Sequence, residues 1–306
     1  AADLLSREGW EVDARAGRPR DELLRDLRDA EGLIVRSSTQ VDANLLAAAP
    51  HLKVIARAGT GVDNVDLNAA SERGILVLNA PGANSVSVAE HTCALMLTLG
   101  RSITRADAAM KNGQWTKQAL LGTELQGKTL GLVGLGRIGQ EVASRARAFG
   151  MQIIAHDPYI SEQVAKDFDA ELVTLDELCE RSDFVSLHVP TTDATHQMFD
   201  ADQLARCKSG LRLINTARGD LIDESALTNA IESGQIGGAG LDVFEREPPI
   251  DSRLTALPEV VATPHIAGST KEAQELVSTE VAASVRDYLG LGIVRNAVNF
   301  PSIAPE

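Results

Sequence analysis

The sequence predicts an α/β fold of two doubly wound parallel-sheet domains, and three observations carry that prediction. Its 306 residues, 44% of them hydrophobic and 24% charged, are enough for about two domains with buried cores. From Gly32 onward, short β-branched runs alternate with helical stretches, the pattern of βαβ units feeding a parallel sheet. Twenty-five glycines, set against six Phe, two Trp and two Tyr, point to tight turns and close backbone approaches rather than to platforms for stacking bases.

Taken in order, the N-terminal stretch AADLLSREGWEVDARAG lacks the apolar core of a signal peptide and reads as a helix entered in mid-course, so a strand upstream of Ala1 is expected. A first series of strands is expected at Leu33–Arg36, Leu52–Ala58 and Ile75–Leu78, with helices at Asp42–Ala49 and Asp66–Arg73. Ser85–Asn112, apolar at Val88, Cys93, Leu95, Met96, Leu99 and Ile103, reads as one long helix bridging two domains. Six more strands are expected at Thr129–Val133, Gln152–His156, Phe184–Leu187, Leu211–Asn215, Gly238–Asp242 and Val260–Thr263, which is what a dinucleotide-binding sheet needs. The helix Lys271–Leu289, with Ala273, Leu276, Val277, Val281, Val285 and Leu289 on one face, is expected to return to the first domain. The expected domains are therefore 1–80 plus 270–306 for substrate and 81–269 for nucleotide.

A formal net charge of −14 argues against nucleic acid or an anionic membrane surface as partner, so an anionic ligand must be held by local cations. Cys93, Cys179 and Cys207 are odd in number and far apart in sequence, which supports neither a disulfide framework nor a zinc ribbon. No metal site is expected, and a reducing cytoplasm fits best.

Gly134-Leu135-Gly136-Arg137-Ile138-Gly139 follows the strand TLGLV directly and opens a helix, the context a dinucleotide site requires. The first glycine allows the tight turn, the second lets backbone approach a pyrophosphate, and the third lets helix and strand pack closely. Arg137 and Ile138 begin a helix whose N–H groups favour an anion. Asp157 ends the next strand, where a carboxylate accepts both ribose hydroxyls and repels a 2′-phosphate, so the expected cofactor is NAD. Thr216, Ala217 and Arg218 lie just past the strand LRLIN, at the ligand end of a parallel sheet, and Arg218 can clamp a carboxylate with two N–H groups. Glu247 and His265 follow later strands of the same series. A hydride-transfer enzyme acting on an alcohol needs a group that accepts the hydroxyl proton, and an imidazole oriented by a carboxylate supplies it. His188 lies at a strand end near the cofactor, while His51, His91, His156 and His196 read as structural rings.

Arg36 ends the strand LIVR and Arg57 nearly ends VIARA, beside the turn Gly59-Thr60-Gly61. Two arginines and a turn of N–H groups suit a dianion in an otherwise acidic chain, and Asn84 in the loop PGANS can complete the set.

VGLGRIGQ, HDPY, NTARGDLIDE, LDVFEREPP and TPHIAGST, in that order, resemble the D-isomer-specific 2-hydroxyacid dehydrogenase family over essentially the whole chain. The resemblance implies a flavodoxin-like substrate domain and a Rossmann-type nucleotide-binding domain, with Arg218, Glu247 and His265 as catalytic trio and Asp242 against the nicotinamide amide. It also implies a homodimer or homotetramer joined through the nucleotide domains, the 85–112 helix and Gln114-Trp115-Thr116-Lys117 forming the contact. Long members carry regulatory domains beyond the point where this sequence stops. Within the family, VIARAGTGVDNVDL and GILVLNAPGANSVSVAEH are similar to members acting on a small phosphorylated hydroxy acid. A glyoxylate or hydroxypyruvate reductase stays open as the alternative enzyme, and an NAD-sensing corepressor as the alternative of another class.

Overall fold

Alternation of side chains along each strand decides how the two sheets are covered. In the computed structural model, which describes residues 2–300, the chain opens with α1 (Ala2–Ser6), α2 (Arg20–Asp26), β1 (Gly32–Val35), α3 (Ala43–Ala47), β2 (Val54–Arg57), α4 (Leu67–Glu72) and β3 (Leu76–Leu78). It continues through α5 (Ser85–Arg101), α6 (Ile103–Lys111), β4 (Thr129–Val133), α7 (Arg137–Ala148), β5 (Gln152–His156), α8 (Glu162–Asp167), β6 (Ala170–Leu172), α9 (Leu175–Arg181) and β7 (Phe184–Leu187). Then come α10 (Ala201–Arg206), β8 (Leu211–Asn215), α11 (Glu224–Glu232), β9 (Ile236–Leu241), β10 (Val260–Ala262) and α12 (Lys271–Leu291). Residue 1 and residues 301–306 of the expected first domain lie outside the described residues. The chain divides into two units, Ala1–Asn84 with Thr270–Glu306, and Ser85–Ser269.

In the first unit β1, β2 and β3 lie side by side and parallel, in that order. Val54, Ala56, Leu76 and Leu78 point to one face, where they meet Val277, Val281 and Val285 of α12. Their neighbours Val35, Ile55 and Val77 point to the other, against Leu45 and Leu46 of α3 and Ala69 and Ala70 of α4. Period two in the strands is thus what gives the sheet a helix layer on each face. Asp42 and Asp66, at the expected helix starts, cap α3 and α4 by accepting the N–H groups of Leu45 and Ala69. Residue 297 adds an antiparallel bridge to Leu78, and the three parallel strands are fewer than the five of a flavodoxin-like sheet.

The second unit has seven parallel strands in the order β10-β9-β8-β7-β4-β5-β6, the reversal at β4 and β7 being the switch point where such sheets bind ligands. Leu130, Leu132, Ile153 and Ala155 face one core, and Val133, Ile154, Val185 and Leu187 face the other. Six strands are expected from the sequence and seven form. The extra one, β6, has only three residues and an exposed Glu171, too short a stretch to show an apolar pattern.

The single helix expected over Ser85–Asn112 is two. Ser102 adopts a left-handed backbone (φ +50°), and the carbonyl of Gly100 accepts the N–H of Thr123 at 2.7 Å instead of continuing the helix ladder. Among the described residues no helix is long and apolar enough to cross a membrane.

Candidate active site

In the first unit the C-terminal strand ends carry the expected anion ligands. Val35 pairs with Arg57 in register, so Arg36, one residue further, and Arg57 end neighbouring strands. Arg36 is exposed and Arg57 half-buried. Gly59 makes room for the latter: a Cβ there would stand 1.5 Å from Arg57 Nη1. Asn64, buried, donates to the carbonyls of Arg36 (3.0 Å) and Thr39 (2.6 Å) and so shapes the turn that presents Arg36. Thr60 Oγ1 donates to Asn84 Oδ1 at 2.8 Å, Asn79 Nδ2 donates to the Thr60 carbonyl at 2.6 Å, and Ala80 N–H donates to the Gly59 carbonyl at 3.0 Å. The turn 59–61 is therefore fixed by its neighbours, with Asn84 part of the frame. Asn64 and Asn79 carry no local signal of this role, because their partners lie 19 to 28 residues away.

In the second unit, strand ends are stitched into one rim by backbone hydrogen bonds: Gly134 N–H to His156, His188 N–H to Val133, Asp242 N–H to Asn215 and Thr263 N–H to Leu241. Gly134 has φ +93°, and a Cβ there would lie 2.7 Å from the His188 carbonyl; one on Gly139 would lie 2.3 Å from the Gly134 carbonyl. A Cβ on Gly136 would meet nothing within 4 Å. The first and third glycines thus serve the packing of the turn, while the second leaves open space above the N-terminus of α7, a cradle a side chain would fill. Arg137 opens α7 on the exposed side, and Ile138 packs into the core beneath. Asp157 accepts the N–H of Leu135 at 2.8 Å and that of Tyr159 at 2.9 Å, which fixes both carboxylate oxygens beside the glycine turn. His188 Nε2 lies 2.9 Å from Ser186 Oγ, its Nδ1 is buried with no hydrogen-bond partner, and burial pushes the imidazole down to about 3. Open cradle, anchored carboxylate and a buried unsatisfied ring nitrogen fit a dinucleotide.

Asn215 is buried and bonds the turn that follows it, accepting the Ala217 N–H at 3.0 Å and donating to the Arg218 carbonyl at 2.7 Å. Thr216 is buried against α5, its Oγ1 2.9 Å from Thr92 Oγ1, and Ala217 is half-buried. Arg218 Nη1 donates to the Ala217 carbonyl at 2.7 Å. Behind it, a Cβ on Gly219 would stand 1.9 Å from the Phe244 carbonyl carbon, so the Arg218 turn is packed directly on the loop that carries Glu247. Glu247 Oε1 accepts the Phe244 N–H at 3.2 Å, and Oε2 lies 2.7 Å from His265 Nδ1. The fold therefore brings the Arg218, Glu247 and His265 segments to one rim. Asp242 is completely buried, and its carboxylate accepts Thr263 Oγ1 and the N–H groups of Ile266 and Ala267, beneath the His265 loop.

Residues 93–267 match the profile of the D-isomer specific 2-hydroxyacid dehydrogenase NAD binding domain. The chain belongs to the D-isomer-specific 2-hydroxyacid dehydrogenase family. The matched residues fall within the second unit. The chain is 49% identical over 307 residues to the D-3-phosphoglycerate dehydrogenase of Methanocaldococcus jannaschii, covering 100% of this chain and 58% of that one. It is 50% identical over 301 residues to the enzyme of the same name from Mycobacterium tuberculosis, covering 98% and 57%. The chain thus spans little more than half the length of these relatives. Among solved structures, a protein from Thermus thermophilus superposes with a TM-score of 0.88 at 40% identity, covering 97% of this chain and 95% of that one. A glyoxylate reductase from Paecilomyes thermophila gives 0.84 at 34%, covering 91% and 88%.

Proposed function

We propose that the chain is the dehydrogenase core of a D-3-phosphoglycerate dehydrogenase, oxidising D-3-phosphoglycerate to 3-phosphohydroxypyruvate with NAD, the step that opens the phosphorylated route to serine. The observation that carries this reading is the pair Arg36 and Arg57 at neighbouring strand ends, with Gly59 vacant to admit one guanidinium. Two guanidiniums suit a phosphate dianion better than an uncharged substrate end. The names of the relatives at about half identity point the same way.

Each residue has a defined task in this reading. Arg218 holds the substrate carboxylate and polarises the C2 oxygen. Glu247 accepts the hydrogen bond of His265 Nδ1–H, which leaves the Nε2 lone pair to take the C2 hydroxyl proton. NAD, when bound, supplies the acceptor for the hydride leaving C2. Asp157 holds its ribose hydroxyls, Gly136 and the N-terminus of α7 its pyrophosphate, and His188, Thr216 and Ala217 line the remainder of the site. Arg36, Arg57, the 59–61 turn and Asn84 take the substrate's phosphate end.

A cytoplasmic homodimer or homotetramer completes the proposal. Its support is a run of exposed apolar side chains along one stretch of the second unit: Ile103, Met110, Trp115 (80% exposed) and Leu121 (93%). The test is initial NADH production from D-3-phosphoglycerate and from D-glycerate at equal concentration. The phosphorylated acid should give at least a tenfold higher kcat/KM, corresponding to about one charge-assisted contact. A preference for D-glycerate, or for reduction of glyoxylate, would make the chain a reductase of unphosphorylated acids.

A further inference from the structure

We propose that His91, on α5, is a positioning residue for the proton transfer assigned above to His265, acting through Thr263 and Asp242. The proposal rests on that assignment, while its geometry stands apart from the choice of substrate.

His265 has a left-handed backbone, φ +52°, a conformation that costs a non-glycine residue free energy and persists only where its surroundings over-determine it. The surroundings here centre on Asp242. The Asp242 carbonyl accepts the His265 N–H at 2.9 Å, and its carboxylate accepts the next two N–H groups, Ile266 on Oδ1 and Ala267 on Oδ2, both at 2.8 Å. One buried residue therefore holds three consecutive backbone groups of the segment that presents the imidazole.

Thr263 and His91 complete the arrangement. Thr263 Oγ1 donates to Asp242 Oδ1 at 2.6 Å. A hydroxyl has one hydrogen, so the same oxygen can only accept from His91 Nε2, 3.0 Å away, and His91 must carry its proton on Nε2. That nitrogen is also 3.6 Å from Asp242 Oδ1. The helix behind it is fixed at the same level: Thr92 Oγ1 donates to the Val88 carbonyl at 2.9 Å and lies 2.9 Å from Thr216 Oγ1. His91 thus supplies, from a packed helix, the donor that orients the Thr263 hydroxyl toward Asp242. Buried polar networks of this kind rigidify when every member is satisfied and loosen when one donor is lost. Without the His91 donor, Thr263 is free to turn away, Asp242 loses an N–H or O–H partner, and the 265–267 segment relaxes from its left-handed start.

Two readouts test this. His91→Leu should lower kcat about tenfold or more while the KM for NAD and for D-3-phosphoglycerate stays within about twofold, as expected when geometry at the reacting atoms is lost. His91→Gln, which keeps an N–H donor at similar reach, should restore kcat to within about threefold. Backbone amide exchange should accelerate at residues 266 and 267 in His91→Leu and in Thr263→Val, and stay slow in His91→Gln. Wild-type kcat with unchanged exchange in His91→Leu would overturn the proposal. So would equal impairment of the Leu and Gln variants with an equal drop in Tm, which would make His91 a space-filling residue. If the wild-type chain does not turn over D-3-phosphoglycerate, the functional reading fails and the exchange measurement alone decides on His91.

Discussion

His265 Nδ1 and Glu247 Oε2 lie 2.7 Å apart, although 18 residues separate them, and Glu247 is in turn held by the N–H of Phe244. In the function proposed above, that contact leaves Nε2 as the nitrogen that works on substrate, since Nδ1 is committed to Glu247.

In the proposed reaction, oxidation needs a lone pair on Nε2 to take the C2 hydroxyl proton, and reduction needs a proton on that nitrogen to give back. His265→Ala should lower kcat by roughly 10²- to 10⁴-fold with NAD affinity nearly intact, measured by fluorescence titration. Loss of NAD binding in that variant would make His265 structural.

Cofactor choice should rest on Asp157, whose two oxygens are anchored by the N–H groups of Leu135 and Tyr159. Asp157→Ser should raise Kd for NAD and narrow the ratio of kcat/KM between NAD and NADP, because it removes the charge that a 2′-phosphate would meet. A ratio unchanged from wild type would detach Asp157 from the ribose.

His188 makes stability depend on acid. Its imidazole is held down to about 3 by burial, whereas an unfolded histidine titrates near 6.5, so the unfolded chain binds the extra proton between those values. The neutral ring's contribution is fully present above about pH 6.5 and is lost as pH falls toward 3, by at most about 1.4 kcal/mol per pH unit. Urea denaturation at pH 7.5 and pH 5 should show a smaller loss in His188→Asn than in wild type. Equal losses in the two would place the proton elsewhere.

Much of this was legible because the signals are local. Strands such as Thr129–Val133 and Phe184–Leu187 carry apolar residues on both faces, and the glycine turn after β4 is set by contacts within the turn and with its neighbouring strand end. Chemistry alone pairs a carboxylate with an imidazole that must take a proton. What escapes the sequence depends on partners far along the chain. Ser102 looks helical until the Gly100 carbonyl finds Thr123, and Asn64 and Asn79 look like ordinary turn residues until their carbonyl partners are in place. His91 reads as a structural ring, because Thr263 lies 172 residues away. Asp242 is expected beside the nicotinamide amide through the family resemblance alone, and its bonds to Thr263, Ile266 and Ala267 span 21 to 25 residues of chain.

The central claim, a phosphate held by Arg36 and Arg57, is tested most directly by the kcat/KM of Arg57→Ala on D-3-phosphoglycerate and on D-glycerate. A charge-assisted contact is worth roughly 1.5–3 kcal/mol, so the phosphorylated substrate should lose roughly 10- to 150-fold. D-glycerate never makes that contact and should stay within a few-fold of its wild-type value, bringing the two substrates together. An equal loss on both would contradict the account and assign Arg57 to the carboxylate or to the fold.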